Sequence, residues 1–139
     1  MVTNIFVNLP VKNLQATREF FTTLGFTFNE QFSDETAAGL VVGEDHYIML
    51  LEHKKFNSFV KKEIADTSKV IESITSLQVE SREEVDSLMK KVLTAGGTEQ
   101  RDPYDYGFMY GRAFYDLDGH TWEVFYMDIS KMPKKEESV

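Results

Sequence analysis

Phe114-Tyr-Asp-Leu-Asp-Gly-His-Thr-Trp-Glu-Val-Phe125 reads as the end of one strand, a turn and the start of the next. Asp118-Gly119 has the chemistry of a two-residue hairpin turn, since both residues tolerate the positive φ that such turns require. The flanking extended segments run from Phe108 to Asp116 and from His120 to Met127. A two-residue turn sets Phe114 opposite Glu123 and Arg112 opposite Phe125 on one face, with Arg112 a diagonal neighbour of Glu123.

The same pattern occurs earlier in the chain. A shift of 74 residues carries His46, Ile48, Met49 and Leu51 onto His120, Trp122, Glu123 and Phe125. Nearer the N-terminus the shift is 68, taking Phe6 onto Ile74, Leu9 onto Leu77 and Asn13 onto Ser81, and then Phe20, Phe21 and Leu24 onto Leu88, Met89 and Val92. Each copy opens with a strand, Asn4 to Leu9 or Glu72 to Val79, in which apolar residues alternate. Each strand leads into a capped amphipathic helix. Asn13 precedes Leu14, Thr17, Phe20, Phe21 and Leu24, whereas Ser81-Arg-Glu-Glu84 forms a capping-box signature before Val85, Leu88, Met89 and Val92. Gly25 and Gly96-Gly97 stop the two helices. Three extended stretches follow each one: Phe26 to Phe32, Thr36 to Val42 and His46 to Glu52, then Thr98 to Arg101 and the two strands of the opening hairpin. The expected fold is α+β, built from two βαβββ repeats.

The organisation that follows is a single domain over residues 1–130. Repeat one covers about 3–53, a linker about 54–70 and repeat two about 71–128, with 131–139 as a flexible tail. Phe56, Phe59, Val60 and Ile64 give the linker a weak helical pattern, compatible with a lid or a solvated connection.

Composition narrows the chemistry. The chain is 42% hydrophobic and 13% aromatic, which is enough to fill a core and still line a cavity. It has no cysteine, so disulfides, thiol nucleophiles and thiolate metal sites are excluded. A formal net charge of −8 disfavours nucleic acid and anionic membranes as partners. No apolar run is long enough to span a bilayer, and no basic-then-apolar leader is evident, so a cytoplasmic address is expected.

Period-2 alternation sorts the strands into two faces. Ile5, Val7, Leu9, Ile48, Leu50, Leu77, Val79, Trp122 and Val124 form the greasier set, suited to lie beneath the helices. Phe6, Asn8, Met49, Leu51, Ile74, Ser76, Gln78, Thr121, Glu123 and Phe125 form a mixed set, joined by Arg112 and Phe114 if the hairpin turn has two residues. A mixed apolar and polar lining is typical of a small-molecule pocket, so these residues other than Thr121 are the expected ligand-binding set. Tyr104-Asp-Tyr-Gly-Phe-Met-Tyr110 could add stacking walls, with Gly107 and Gly111 letting a loop bend over the pocket mouth.

Three stretches carry a family resemblance: Val11 to Gly25, Tyr47 to Glu52, and Phe114 to Phe125 with its D-x-D-G-x-x-x-E-V-x ending. They resemble the vicinal oxygen chelate superfamily, which includes glyoxalases, bleomycin-resistance proteins and extradiol dioxygenases. The resemblance implies a cup-shaped mixed sheet, often completed in a homodimer. It also implies that four strand positions hold a divalent metal in the metal-dependent members, and here those positions are Phe6, Met49, Ile74 and Glu123. Only Glu123 is of a ligand type, whereas zinc normally takes at least three protein ligands. The expectation is therefore no cofactor, with a divalent metal disfavoured, and a small-molecule-binding protein like the bleomycin-resistance branch. The competing expectation is a lyase, isomerase or dioxygenase in which Glu123 is the general base or the sole carboxylate ligand of a metal.

Overall fold

The computed structural model describes residues 1–135; residues 136–139, the end of the expected tail, lie outside them. In chain order the strands are β1 Phe6–Val11, β2 Thr27–Asn29, β3 Ala37–Gly43, β4 His46–Glu52, β5 Ile74–Gln78, β6 Thr98–Glu99, β7 Tyr104–Asp105, β8 Met109–Tyr115 and β9 Thr121–Met127. The helices are α1 Leu14–Thr23, α2 His53–Asn57 and α3 Arg82–Thr94.

The caps form where the sequence places them. Asn13 Oδ1 accepts from the Ala16 amide at 3.0 Å, and Ser81 Oγ accepts from the Glu84 amide at 3.1 Å. Each satisfies a backbone donor that a helix start leaves orphaned. Gly25 and Gly96 adopt φ of +99° and +101° at the two helix ends, a conformation that costs glycine little.

Two mixed sheets result. The first has the order β1-β4-β3-β2; the second has β5-β9-β8-β6, with β7 also pairing with β8. In both, the opening strand lies parallel to the last strand of its repeat and the remaining pairs are antiparallel. Phe6 pairs with Tyr47 and Asn8 with Met49; Ile74 pairs with Thr121 and Ser76 with Glu123. These are the partners that shifts of 68 and 74 relate, so the repeat extends to hydrogen-bond register.

The helices cover one face of each sheet, and those faces share one core. Leu9, Val11, Leu40, Ile48 and Leu50 of the first sheet join Phe114, Trp122 and Val124 of the second, with Phe20, Phe21, Val85, Met89 and Val92 from the helices. The Phe21 and Trp122 rings lie 5.1 Å apart, and Phe20 lies 6.5 Å from Phe114. Phe21, Phe114 and Trp122 are fully buried. Burying a large apolar side chain of this kind stabilises by about 1.5–3 kcal/mol, so these rings bond the two repeats together.

The opening hairpin departs from expectation. Its loop has three residues, Leu117-Asp118-Gly119: Asp116 donates to the His120 carbonyl, Gly119 donates to the Asp116 carbonyl, and Gly119 has φ +83°. The odd loop slips the register by one residue and exchanges the faces of β8 relative to β9. Phe114 therefore pairs with Trp122 and Arg112 with Val124, while Ala113 stands opposite Glu123 and Gly111 opposite Phe125. A buried carboxylate holds the loop. Asp116 accepts from Trp122 Nε1 at 2.9 Å and from the amides of Asp118 and His120. His120 Nε2 lies 2.6 Å from the Pro10 carbonyl, which can only accept, so this nitrogen carries the proton and ties the second repeat to β1.

Two further expectations change. Phe26 to Phe32 is strand only over Thr27–Asn29 and then closes into a 3-10 turn, because Asn29 accepts from the Gln31 amide. The linker is helical only over His53–Asn57.

Candidate functional site

The two faces turned away from the helices carry the candidate site, and each reads as three rungs across its sheet. On the first sheet the rungs are Thr27, Val41, Tyr47 and Phe6; Asn29, Gly39, Met49 and Asn8; and Ala37, Leu51 and Pro10. On the second they are Thr98, Tyr115, Thr121 and Ile74; Ala113, Glu123 and Ser76, with Gln100 bonded beside Ala113; and Gly111, Phe125 and Gln78.

Of the expected residues, Phe6, Asn8, Met49 and Leu51 share the outward face of the first sheet. Ile74, Ser76, Gln78, Glu123 and Phe125 share that of the second. No strand pairing joins the two sets among the described residues, because β1 and β5 each end their sheet. Phe6 and Ile74 on these outer strands are 41% and 59% exposed.

The first face is an aromatic wall. Phe6 stacks on Tyr47 at 6.0 Å between centroids, and Phe32 meets both rings edge-on at 5.9 and 5.4 Å. Phe32 reaches this position because Gly39 has no side chain: a Cβ there would lie 2.9 Å from the Phe32 Cβ.

The second face holds the acid. Glu123 pairs with Arg101 at 3.4 Å and not with Arg112. Arg101 also lies over the Tyr104 ring, 4.8 Å from its centroid. Tyr104 packs across Gly111, where a Cβ would clash with its hydroxyl at 2.2 Å. Burial, and then the Glu123 carboxylate beside it, push the Tyr104 phenol up to about 12. Arg101 was not among the expected residues: the sequence puts it at the end of the extended stretch Thr98 to Arg101, whereas β6 stops at Glu99 and leaves Arg101 in the segment that follows. Tyr104 was legible only as an aromatic wall, and Gly111 was the available signal, as a strand glycine often marks the close approach of another group.

Arg112 and Phe114 leave the expected set, because the three-residue loop turns both toward the helices. Phe114 is a core ring. Arg112 makes a two-pronged bond to Glu99 at 2.8 and 3.1 Å and reaches Asp86 on α3 at 3.0 Å. These partners raise the guanidinium pKa still further and fix the side chain against the helix.

The fold agrees with the comparisons. The profile of the Glyoxalase/Bleomycin resistance protein/Dioxygenase superfamily matches residues 5–124, and the chain belongs to that superfamily. No curated protein matches it. Among solved structures, a hypothetical protein from S. aureus is 31% identical, with a TM-score of 0.78 over 91% of this chain and 94% of that one. A glyoxalase/bleomycin resistance protein/dioxygenase family enzyme from Burkholderia phytofirmans PsJN is 19% identical, with a TM-score of 0.73 over 88% of this chain and 97% of its own. The genomically encoded fosfomycin resistance protein FosX from Listeria monocytogenes is 20% identical, with a TM-score of 0.65 over 99% and 97%. At such identities the last two speak for the fold alone.

A divalent metal of the kind the superfamily often uses does not fit the four corresponding positions. Phe6 and Ile74 offer no donor, Met49 offers only a thioether, and Glu123 is held by Arg101. Hard and borderline cations need several oxygen or nitrogen ligands. Among the described residues, no group of three or more His, Cys, Asp or Glu is placed to hold an ion.

Proposed function

We propose that this protein binds a small organic molecule without a catalytic metal, and that two copies complete the cup. The observation that carries the reading is the unlike pair of outward faces. One is a wall of Phe6, Phe32, Tyr47 and Met49; the other is a polar set of Glu123, Arg101 and Tyr104. A flat apolar body suits the first, and a group that both accepts and donates hydrogen bonds suits the second. Asn8, Ser76 and Gln78 are further polar contacts within reach of the rungs. The unpaired outer edges of β1 and β5, with Phe6 and Ile74 exposed beside them, favour a second copy as the closing partner. Glu123 acts here as a recognition group that orders a ligand together with Arg101.

Metal analysis of protein purified without added ions tests the reading most directly. The expected result is far less than one ion per chain. Near-stoichiometric metal that disappears in Glu123→Gln would overturn the metal-free proposal and favour an enzyme. Sedimentation equilibrium tests the dimer, which a monomer at tens of micromolar would contradict. A thermal-shift panel of cationic aromatics and hydroxy- or keto-acids then sorts the ligand class, because binding to the folded state raises apparent stability.

A further inference from the structure

One arginine ties down the short strand that carries Tyr104. Ser81 caps α3, which makes Arg82 its first helical residue. The Arg82 guanidinium donates to both carboxylate oxygens of Asp105, at 2.7 and 3.0 Å, and to the Gly107 carbonyl at 3.0 Å. It also lies over the Tyr110 ring, 5.2 Å from the centroid. Asp105 in turn accepts from the Gly107 amide at 2.9 Å, so one clasp engages the residues on both sides of Tyr106. Gly107 closes this turn with φ +82°, a conformation that glycine adopts without strain.

The two residues of β7 point to opposite faces, as strand alternation requires. Asp105 pairs with Tyr110 on the helix side, where Arg82 meets it. Tyr104 pairs with Gly111 and lies across it on the outward face, beside Glu123. From there the Tyr104, Tyr106 and Phe108 rings form a ladder with centroids 5.3 and 6.4 Å apart, and Tyr106 is 66% exposed. Fixing this segment costs backbone entropy that two strand pairings offset poorly, so the side-chain clasp decides where it lies. The clasp is itself exposed, with its side chains 38% and 52% accessible, and adds little to global stability. Its two-pronged geometry fixes position instead. The first repeat has no counterpart: the shift of 68 residues sets the buried Leu14 at the place of Arg82, and the first sheet has four strands to the second's five.

We propose that Arg82 is a positioning residue of the Glu123 face: through Asp105 and Gly107 it sets β7 so that Tyr104 stands against Glu123 and the ring ladder borders the ligand. This rests on the reading of that face as a ligand site, but its test needs no ligand. An NMR titration of labelled tyrosines in the full chain reads the position of Tyr104. Its phenol, with Glu123, Arg101 and Tyr106 around it, ionises at about 12 because it is buried and faces that carboxylate. In Arg82→Ala the midpoint should fall toward the ordinary value of 10, and Asp105→Ala should lower it likewise. The double variant should fall no further than Asp105→Ala, since both act through one clasp. Arg18→Ala, which removes an exposed ion pair with Glu30 in the first repeat, should leave Tyr104 unchanged. A Tyr104 midpoint in Arg82→Ala equal to the parent's overturns the proposal. So do an equal fall in Arg18→Ala and additive falls in the double variant. A parent midpoint already at 10 would take Tyr104 out of the Glu123 set, and the role of the clasp with it. Near-stoichiometric metal, by contrast, would overturn the binding reading and leave the clasp standing.

Discussion

The middle rung of the first sheet runs Asn29, Gly39, Met49 and Asn8, whereas the matching rung of the second runs Gln100, Ala113, Glu123 and Ser76. The partners sit in the same register, yet an acid stands where the other sheet has a thioether. Beneath them, the helix-side pairs Ile48 with Leu50 and Trp122 with Val124 are alike in being apolar and buried. The difference teaches where constraint resides. Packing in the shared core fixes register, because a one-residue slip would turn every buried side chain outward. The outward face contributes less to that packing, so its chemistry can differ between halves without cost to the fold.

The comparison breaks most visibly at the core. Trp122→Ala should cost about 5 kcal/mol, at the top of the range for such truncations, since it also removes one of the three donors to the buried Asp116 carboxylate. The corresponding Ile48→Ala should cost about 3 kcal/mol. Urea unfolding measures both, and an equal or reversed order would mean that the second repeat does not anchor the core.

The two outward glycines sharpen the contrast. At Gly39 an added methyl meets the root of the Phe32 side chain, which cannot swing away. Gly39→Ala should therefore cost about 1–3 kcal/mol. At Gly111 the obstacle is the far end of Tyr104, which can lift off the sheet. Gly111→Ala should cost less than about 1 kcal/mol and instead release Tyr104 from Glu123. Comparable losses in the two variants would contradict the difference drawn here.

Tyrosine titration follows that release. In the parent, Tyr104 ionises at about 12, and in Gly111→Ala its midpoint should fall toward the ordinary value of 10. The folded-state pKa is raised, so this contribution to stability is fully present below pH 10 and is lost as pH rises from 10 to 12. An NMR titration of labelled tyrosines that finds Tyr104 at its ordinary value in both proteins would remove the phenol from the Glu123 set. The smallest effect is expected at Arg101→Ala. Its partner lies at 3.4 Å and its own side chain is half exposed, so the loss should stay below about 1 kcal/mol and shrink with added salt.

Much of this was legible along the chain. Shifts of 68 and 74 residues predicted the strand partners, the caps at Asn13 and Ser81 predicted the helix starts, and alternation predicted the faces of β1, β4, β5 and β9. These are local or periodic properties, written in the order of the residues themselves. The hairpin at Leu117-Asp118-Gly119 was not, because Asp-Gly fits a two-residue and a three-residue loop equally well. Asp45, with φ +57°, occupies in the first hairpin the position that Gly119 takes in the second, and such a conformation is not announced by an aspartate.

The sequence by itself determined that a doubled α+β module exists and that only one of four corresponding positions, Glu123, carries an acid. Tertiary structure alone decided what that acid meets. Arg112 turns to Glu99 and Asp86, while Arg101, just past β6, and Tyr104, in β7, are the groups that arrive at Glu123. The physical reason is that a strand's face alternates with every residue, so one loop residue decides which cation an acid can reach.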